Sequence, residues 1–425
     1  MEYYLRGENV YKIYRCKKVL GEISLSGAKN ASLPIIVAAC MCSGDVILHN
    51  IPLKLNDVII LIEVLRASGF IIEIKGNSTI LFRNSKITSI NHCVSADANK
   101  IRYSLLLLSL LLSRCGEVRV PSPGGCNLGD RRYDIHLESL GRMGADVEDT
   151  QGYITAKLND KLHGADLTFH TATTSGSENV ILAAATAEGR TVVRNANTRP
   201  EVIDLIKFLN LMGAKIRYST RYIEVDGVAE LSGGEYTVMS DCHEGISFMV
   251  LAGMTRGEVC IRDFCTEKIE EDVSLLRSIG MDIFEWGGNV YASARGKELK
   301  PFSMATAPYP GINSDMQPLF AALAATIIGE SIVTDTRFTK RFQYVDEFKK
   351  LGINIVNYHN CAIIKGGPVK GCEVIATDLR AGAALIMLGC AAEDYTIVRN
   401  TYQVERGYEN FSNKLNRLGC KVDRE

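Results

Sequence analysis

Surplus charge is missing from this chain of 425 residues: 48 Lys and Arg stand against 49 Asp and Glu, for a formal net charge of -1. No basic block and no interleaving of basic with aromatic residues occurs. Nucleic acid is therefore a poor partner, because non-specific binding needs a phosphate-facing surplus, although a local basic pocket for a small anion stays open. Long apolar runs are also missing. LPIIVAACMC and LLLLSLLL are among the longest, and both fall short of the ~18 residues that suggest a membrane span. The segment MEYYLRGENVYKIYRCKK has no apolar core of the kind a secretory signal carries. A cytoplasmic protein without membrane insertion is expected. The 13 cysteines show no paired metal spacing, which points to buried thiols in a reducing compartment and against a disulfide framework. No GxxxxGK[ST], GxGxxG or zinc signature appears, so ATP, NAD and metal chemistry lack their usual support.

What the chain does have is a beat. Gly69, Gly144, Gly213, Gly280, Gly352 and Gly419 each follow an amphipathic run and precede an alternating stretch, at intervals of 75, 69, 67, 72 and 67 residues. Gly44, Gly116, Gly189, Gly257 and Gly329 keep a second, similar beat before VILHN, VRV, TVVRN, VCIRD and SIVTD, and Glu393 takes that place before YTIVRN. A period near 70 is too long for a solenoid unit and suits a small α/β unit. Each unit reads as strand, helix, strand, helix and a closing pair of short strands. In the first, GEISLSG is a strand and turn, the run around LPIIVAACM a helix, DVILHN a strand, and DVIILIEVLRAS a helix whose Leu61, Val64 and Leu65 form one stripe. Helices alternate with polar-faced strands too closely for one parallel sheet. An α/β (α+β) architecture of two pseudo-threefold domains is expected, built from six βαβαββ-type repeats. One domain spans 29–239, and the second takes 240–425 together with 1–28.

Four places could carry chemistry. SGAKNA sets Lys29 between a strand and an apolar helix, where an ammonium would meet helix N-terminal amides and a bound anion; a solvated turn lysine is the plain alternative. Asn30 either caps that helix or contacts a ligand hydroxyl. PSPGGCNLGDRRYD holds Cys126 beside Arg131 and Arg132 in a Pro/Gly-rich loop, 121–132, able to close over a ligand; a cysteine among arginines is a candidate low-pKa thiol. In INSDMQPLF, Asp315 either caps a helix or serves as a general base. Arg341, Arg380 and Arg406 fall at matching repeat positions, with Arg102 in the N-terminal half. Together with Lys29 they would form a concave site for a phosphate and a carboxylate, which guanidinium groups bind in bidentate fashion.

SGAKNA, the PGGC loop with Arg131, SDMQ, ATDLRA and ERGYE occur in order and at compatible spacing. In this the chain resembles the UDP-N-acetylglucosamine 1-carboxyvinyltransferases of the enolpyruvyl transferase superfamily, from about residue 18 to the C-terminus. The resemblance implies an inside-out α/β barrel in each of two domains, with the site in the cleft between them. It implies transfer of enolpyruvate from phosphoenolpyruvate to the sugar 3-hydroxyl, with loss of phosphate and no cofactor. Asp315 falls at the base position. Cys126 matches a loop cysteine linked to proton transfer, covalent adducts and fosfomycin sensitivity. Lys29, Arg131 and Arg406 would hold the phosphate, and Arg102, Arg341 and Arg380 would complete the phosphate–carboxylate clamp. Asn30 would contact the acceptor, with Asp134, Thr173 and Thr174 on the nucleotide side. The implied partners are phosphoenolpyruvate and a UDP-sugar, for a monomer or weak homo-oligomer.

The nucleotide side departs from the family pattern. Arg132 and Tyr133 stand where Pro-Val is usual before Asp134, and Thr173, Thr174 and Ser175 replace a Ser-Val-Gly stretch. Cys242 and His243 replace an Arg-Ile pair. These changes leave room for a paralogue acting on another uridine nucleotide such as UMP, or for a non-catalytic UDP-sugar binder. A related enzyme acting on shikimate 3-phosphate lacks the loop cysteine and ranks lower.

Overall fold

The computed structural model describes residues 10–123 and 133–424. The chain divides into two compact units: residues 26–123 with 133–240, and residues 10–25 with 241–424. In the first unit the helices Lys29–Ala39, Leu106–Cys115 and Thr174–Ala185 are buried on every side beyond their end turns. In the second, Cys242–Thr255, Gln317–Ala325 and Leu379–Ala391 have the same character, and all three pack on one another. A helix that is apolar around its whole circumference has no face to give to water and ends in a core.

The alternate helices are amphipathic and lie outside this core. Asn56–Ala67 buries Leu61, Val64 and Leu65, the stripe expected from the sequence. Each such side chain contributes about 1.5–3 kcal/mol when fully buried. Glu270–Ile279 does the same with Val273, Leu276 and Ile279. The six glycines that follow these outer helices all have positive φ, from +78° at Gly352 to +116° at Gly280. The recurring glycine is thus a helix stop in the left-handed region, where a Cβ is strained.

Small sheets flank the helices, five of four strands and one of three among the described residues. In each four-stranded sheet a central strand pairs parallel with one neighbour and antiparallel with the next; Arg190–Arg194, for example, lies parallel to Asp166–Thr168 and antiparallel to Tyr222–Asp226. The second repeat departs from this plan, because its first strand shrinks to a single parallel bridge between Cys93 and Arg119.

One strand pairs outside the repeat in which it was read. Leu20–Ser24, read from the sequence as the opening strand of the first repeat, pairs parallel with Glu258–Arg262 of the fourth. Its place in the first repeat is taken by Gly234–Thr237, parallel to Val46–His49. Tyr11–Tyr14 lies between Thr396–Arg399 and Lys421–Arg424, closing the sixth repeat with a strand from the opposite chain end. Alternation in a sequence reports that a segment is a strand and says nothing of its partner. Among the described residues no helix is long and apolar enough to cross a membrane.

Candidate active site

In the first unit, Gly27 makes an isolated bridge to Ser240, and the Ala28 amide donates to the Met239 carbonyl at 2.8 Å. A Cβ on Gly27 would lie 1.6 Å from the Asn50 carbonyl oxygen, so the SGAKN turn requires glycine there. Ala28 ends the turn, and the helix Lys29–Ala39 starts without a side-chain cap. Asn30 therefore does not cap this helix, as one sequence alternative had it; it lies within the first turn, and its carbonyl accepts from the Tyr103 hydroxyl at 3.5 Å. Lys29 is largely buried, with its Nζ 3.3 Å from Asp57 Oδ2. Asp57, a partner the motif did not show, holds the ammonium beside the uncapped helix end.

Arg102 opens a 3-10 turn, Arg102–Leu105, and its charge bears on His136 and Tyr133. Burial, reinforced by Arg102, pushes the His136 imidazole down to about 3. His136 Nε2 lies 3.1 Å from Ser175 Oγ, while Nδ1 has no hydrogen-bond partner among the described residues. Burial and the neighbouring Asp149 carboxylate raise Tyr133, whose hydroxyl donates to Asp149 Oδ2 at 2.8 Å. Asp134 opens the helix Asp134–Arg142, with Oδ2 3.8 Å from His170 Nε2. Thr173 caps the helix Thr174–Ala185, and Thr174 Oγ1 accepts from Asn197 at 3.2 Å. Cys126, Arg131 and Arg132 lie outside the described residues.

Three residues beyond Ser175 stands a carboxyl group that the motifs did not flag. Glu178 is fully buried, and neither of its oxygens has a hydrogen-bond partner among the described residues. Burial and then the Glu201 carboxylate raise its pKa well above the ordinary range, against a smaller pull from Arg199. The folded form therefore keeps its proton where the unfolded chain, with an ordinary value of about 4.3, releases it. In that window the native state binds more protons, so stability falls as pH rises. Glu178→Gln, of the same shape and uncharged, should melt above the native protein, with the gap widening between about pH 5 and pH 8. Melting curves across that range check this; a gap that stays constant or closes would contradict it.

In the second unit, Asp315 sits in the 3-10 turn Ser314–Met316, just before the buried helix Gln317–Ala325. It is not the cap, again contrary to the structural alternative. Asn313 is, its Oδ1 accepting from the Asp315 amide at 3.1 Å. The Asp315 side chain bridges two arginines: Arg341 Nη2 donates to Oδ1 at 2.9 Å, and Arg380 Nε donates to Oδ2 at 3.4 Å. Both arginine side chains are at most 5% exposed against 29% for Asp315, so the carboxylate is the part of the cluster that faces solvent.

Three buried groups hold these arginines. Asp335, within 3.9 Å of Arg341 Nε, also accepts from Ser314 Oγ at 2.5 Å. Tyr408 lies under Arg380, its ring centroid 5.1 Å from the guanidinium carbon. Burial opposes the charge on Arg380, but Tyr408, Asp315 and Asp241 together raise its pKa above the ordinary guanidinium value. Asp241 is likewise disfavoured by burial, yet His243, Arg380 and the Glu244 amide hold it well below the usual carboxylate range. Even so, Arg341 Nε and Arg380 Nη1 have no hydrogen-bond acceptor among the described residues. Buried guanidinium N–H groups without acceptors are suited to a planar anion. Arg406 follows the short helix Tyr402–Glu405, two residues from Tyr408, and is half-buried.

The fold is that of several solved enzymes. The enolpyruvyl transferase NikO from Streptomyces tendae matches at a TM-score of 0.88 and 23% identity, over 99% of either chain. An EPSP synthase from Acinetobacter baumannii matches at 0.77 and 19% identity, over 98% of this chain and all of that one. These likenesses establish the inside-out α/β barrel, with helices at the centre of each unit and sheets around them. The family model described as EPSP synthase (3-phosphoshikimate 1-carboxyvinyltransferase) matches residues 13–415. The chain belongs to this family of enolpyruvyl transferases. Within it, the UDP-N-acetylglucosamine 1-carboxyvinyltransferase 1 of Symbiobacterium thermophilum is 39% identical over 413 residues, covering 96% of this chain and 93% of the relative. The UDP-N-acetylglucosamine 1-carboxyvinyltransferase of Coxiella burnetii is 40% identical over 406 residues, covering 95% and 93%.

Proposed function

We propose that this protein transfers the enolpyruvyl group of phosphoenolpyruvate to the 3-hydroxyl of UDP-N-acetylglucosamine and releases inorganic phosphate, a step of cell-wall peptidoglycan synthesis in the cytoplasm. The observation that carries the reading is the Asp315 carboxylate between two buried arginines that still have N–H groups to give. It stands in a chain similar over nearly its whole length to enzymes bearing that activity in their names.

In this reading the sugar oxygen bonds to C2 of phosphoenolpyruvate while Asp315 takes the hydroxyl proton. C3 gains a proton to give a tetrahedral intermediate, in a step to which Cys126 is assigned. Loss of a C3 proton with cleavage of the bond between C2 and the phosphate oxygen then yields the enol ether and phosphate. Lys29, Arg131 and Arg406 hold the phosphate, and Arg102, Arg341 and Arg380 complete the clamp on phosphate and carboxylate. Cations fixed before the reaction stabilise the charge gathering on the leaving phosphate, without the reorganisation water would need. Asn30 contacts the acceptor sugar, and Asp134, Thr173 and Thr174 lie on the nucleotide side.

The test is phosphate release from phosphoenolpyruvate by the purified protein, with UDP-N-acetylglucosamine, UMP or shikimate 3-phosphate as acceptor. Release dependent on UDP-N-acetylglucosamine is expected; release only with another acceptor, or with none, overturns the assignment. A Cys126→Asp variant should keep measurable turnover, since a carboxylic acid can replace the thiol as proton donor, and lose covalent labelling by fosfomycin. Mass spectrometry of the treated protein reads the label, and complete loss of turnover in a folded variant would contradict the expectation.

A further inference from the structure

Asn313 makes two hydrogen bonds whose directions determine each other. The Asp315 backbone N–H, 3.1 Å from Asn313 Oδ1, can only donate, so the amide oxygen faces it. The amide NH2 then faces His243 Nε2, at 2.7 Å. An NH2 group does not accept, so Nε2 is the acceptor and carries no proton. The ring proton is left on Nδ1, 3.5 Å from Asp241 Oδ1. That oxygen also accepts the His243 and Glu244 amides at 2.8 and 3.1 Å and so caps the helix Cys242–Thr255. The hydrogen bonds therefore run one way along the relay, the Asp315 amide to Asn313 and Asn313 to His243, and leave the ring N–H on the side of Asp241. His243 is 3% exposed and is one of the two residues, with Cys242, that replace the Arg-Ile pair of the family pattern.

We propose that His243 is a positioning residue for Asp315. Its unprotonated Nε2 holds Asn313 in the orientation that caps the turn Ser314–Met316, and that turn aims the Asp315 carboxylate between Arg341 and Arg380. The inference deepens the proposed function and rests on Asp315 as the base. An apolar side chain at 243 fills the space but leaves the Asn313 amide without an acceptor, so the cap can rotate and Asp315 shift. The group that suffers acts in the reaction step, while Arg341 keeps Asp335 and Arg380 keeps Tyr408.

The experiment compares the native protein with His243→Leu, His243→Gln, Asn313→Ala and the double variant His243→Leu/Asn313→Ala. Gln carries an acceptor near the position of Nε2. His243→Leu should lose about tenfold in kcat, as expected when a reacting group is misplaced by a fraction of an ångström. The KM for phosphoenolpyruvate should stay within about twofold in that variant. His243→Gln should recover most of the loss, and the double variant should be no slower than Asn313→Ala alone, because both changes cut the same relay. Unchanged kcat in His243→Leu, no recovery in His243→Gln, or additive losses would each overturn the proposal. A long-range 1H–15N correlation spectrum of the native protein reads the tautomer of His243 directly. Nδ1–H is expected, and Nε2–H overturns the relay whatever the turnover. That spectrum involves no catalysis, so failure of the base assignment, read from Asp315→Asn, and failure of the relay give different results.

Discussion

Asp315→Asn is expected to lower kcat by about a thousandfold, within the range by which a positioned general base accelerates proton transfer. The substitution keeps the shape of the side chain and removes its ability to take a proton. It also removes the charge that Arg341 and Arg380 share. One atom of the new amide is an NH2 group, which must face one of the two guanidinium groups, donor against donor, so one of the two bonds is lost. The arginines are left with more positive charge for a bound anion, so the KM for phosphoenolpyruvate should stay level or fall. A loss confined to kcat is the mark of an interaction used only in the reaction step. Steady-state kinetics with both substrates varied measures the split. Turnover within about fivefold of the native value, in a protein of normal melting temperature, would remove Asp315 from the base role.

The largest stability effect is expected at Asp335. Its side chain has no exposure and receives five contacts. Oδ1 accepts from the Arg337 and Phe338 amides at 2.8 and 2.9 Å and from Thr306 Oγ1 at 3.3 Å. Oδ2 accepts from Ser314 Oγ at 2.5 Å and lies 3.9 Å from Arg341 Nε. Asp335→Ala strands the buried donors and deprives Arg341 of one of its two carboxylates. Removing one partner from a buried, hydrogen-bonded charge cluster costs about 3–5 kcal/mol. Urea unfolding, with the m-value checked against the native protein, measures the loss. Asp335→Asn should cost less, because its amide oxygen can still accept both backbone N–H groups. A shift below about 1 kcal/mol for the alanine variant would mean that water replaces the carboxylate, against the burial described here.

The two residues illustrate different degrees of legibility. Asp315 could be picked from SDMQ because a motif carries its own local sequence, and the same holds for Lys29 in SGAKNA and Arg380 in ATDLRA. Asp335 could not. It sits in an ordinary stretch after a strand, and its importance comes from Thr306 and Ser314, 29 and 21 residues away. Asp57, His136 and Glu178 escaped for the same reason: each is defined by what folds against it. His243 shows the limit most clearly, since a residue noted in the sequence only as a departure from the family pattern forms a hydrogen bond to Asn313, 70 residues on.

Where information is local, the sequence by itself was enough. The sixfold beat, the helix-stopping glycines, and the contrast between helices apolar all round and helices with one apolar stripe follow from backbone sterics and the 3.6-residue period. These determine what each segment becomes. Tertiary structure alone decided who meets whom: that Leu20–Ser24 joins the fourth repeat and Gly234–Thr237 the first, that Tyr11–Tyr14 closes the sixth, and that Asn313, not Asp315, caps the turn. All the repeats offer similar strand edges, so alternation cannot distinguish among them. The choice is made by chain connectivity and by the need of buried backbone N–H and C=O groups for partners, conditions that apply only once the chain has closed on itself.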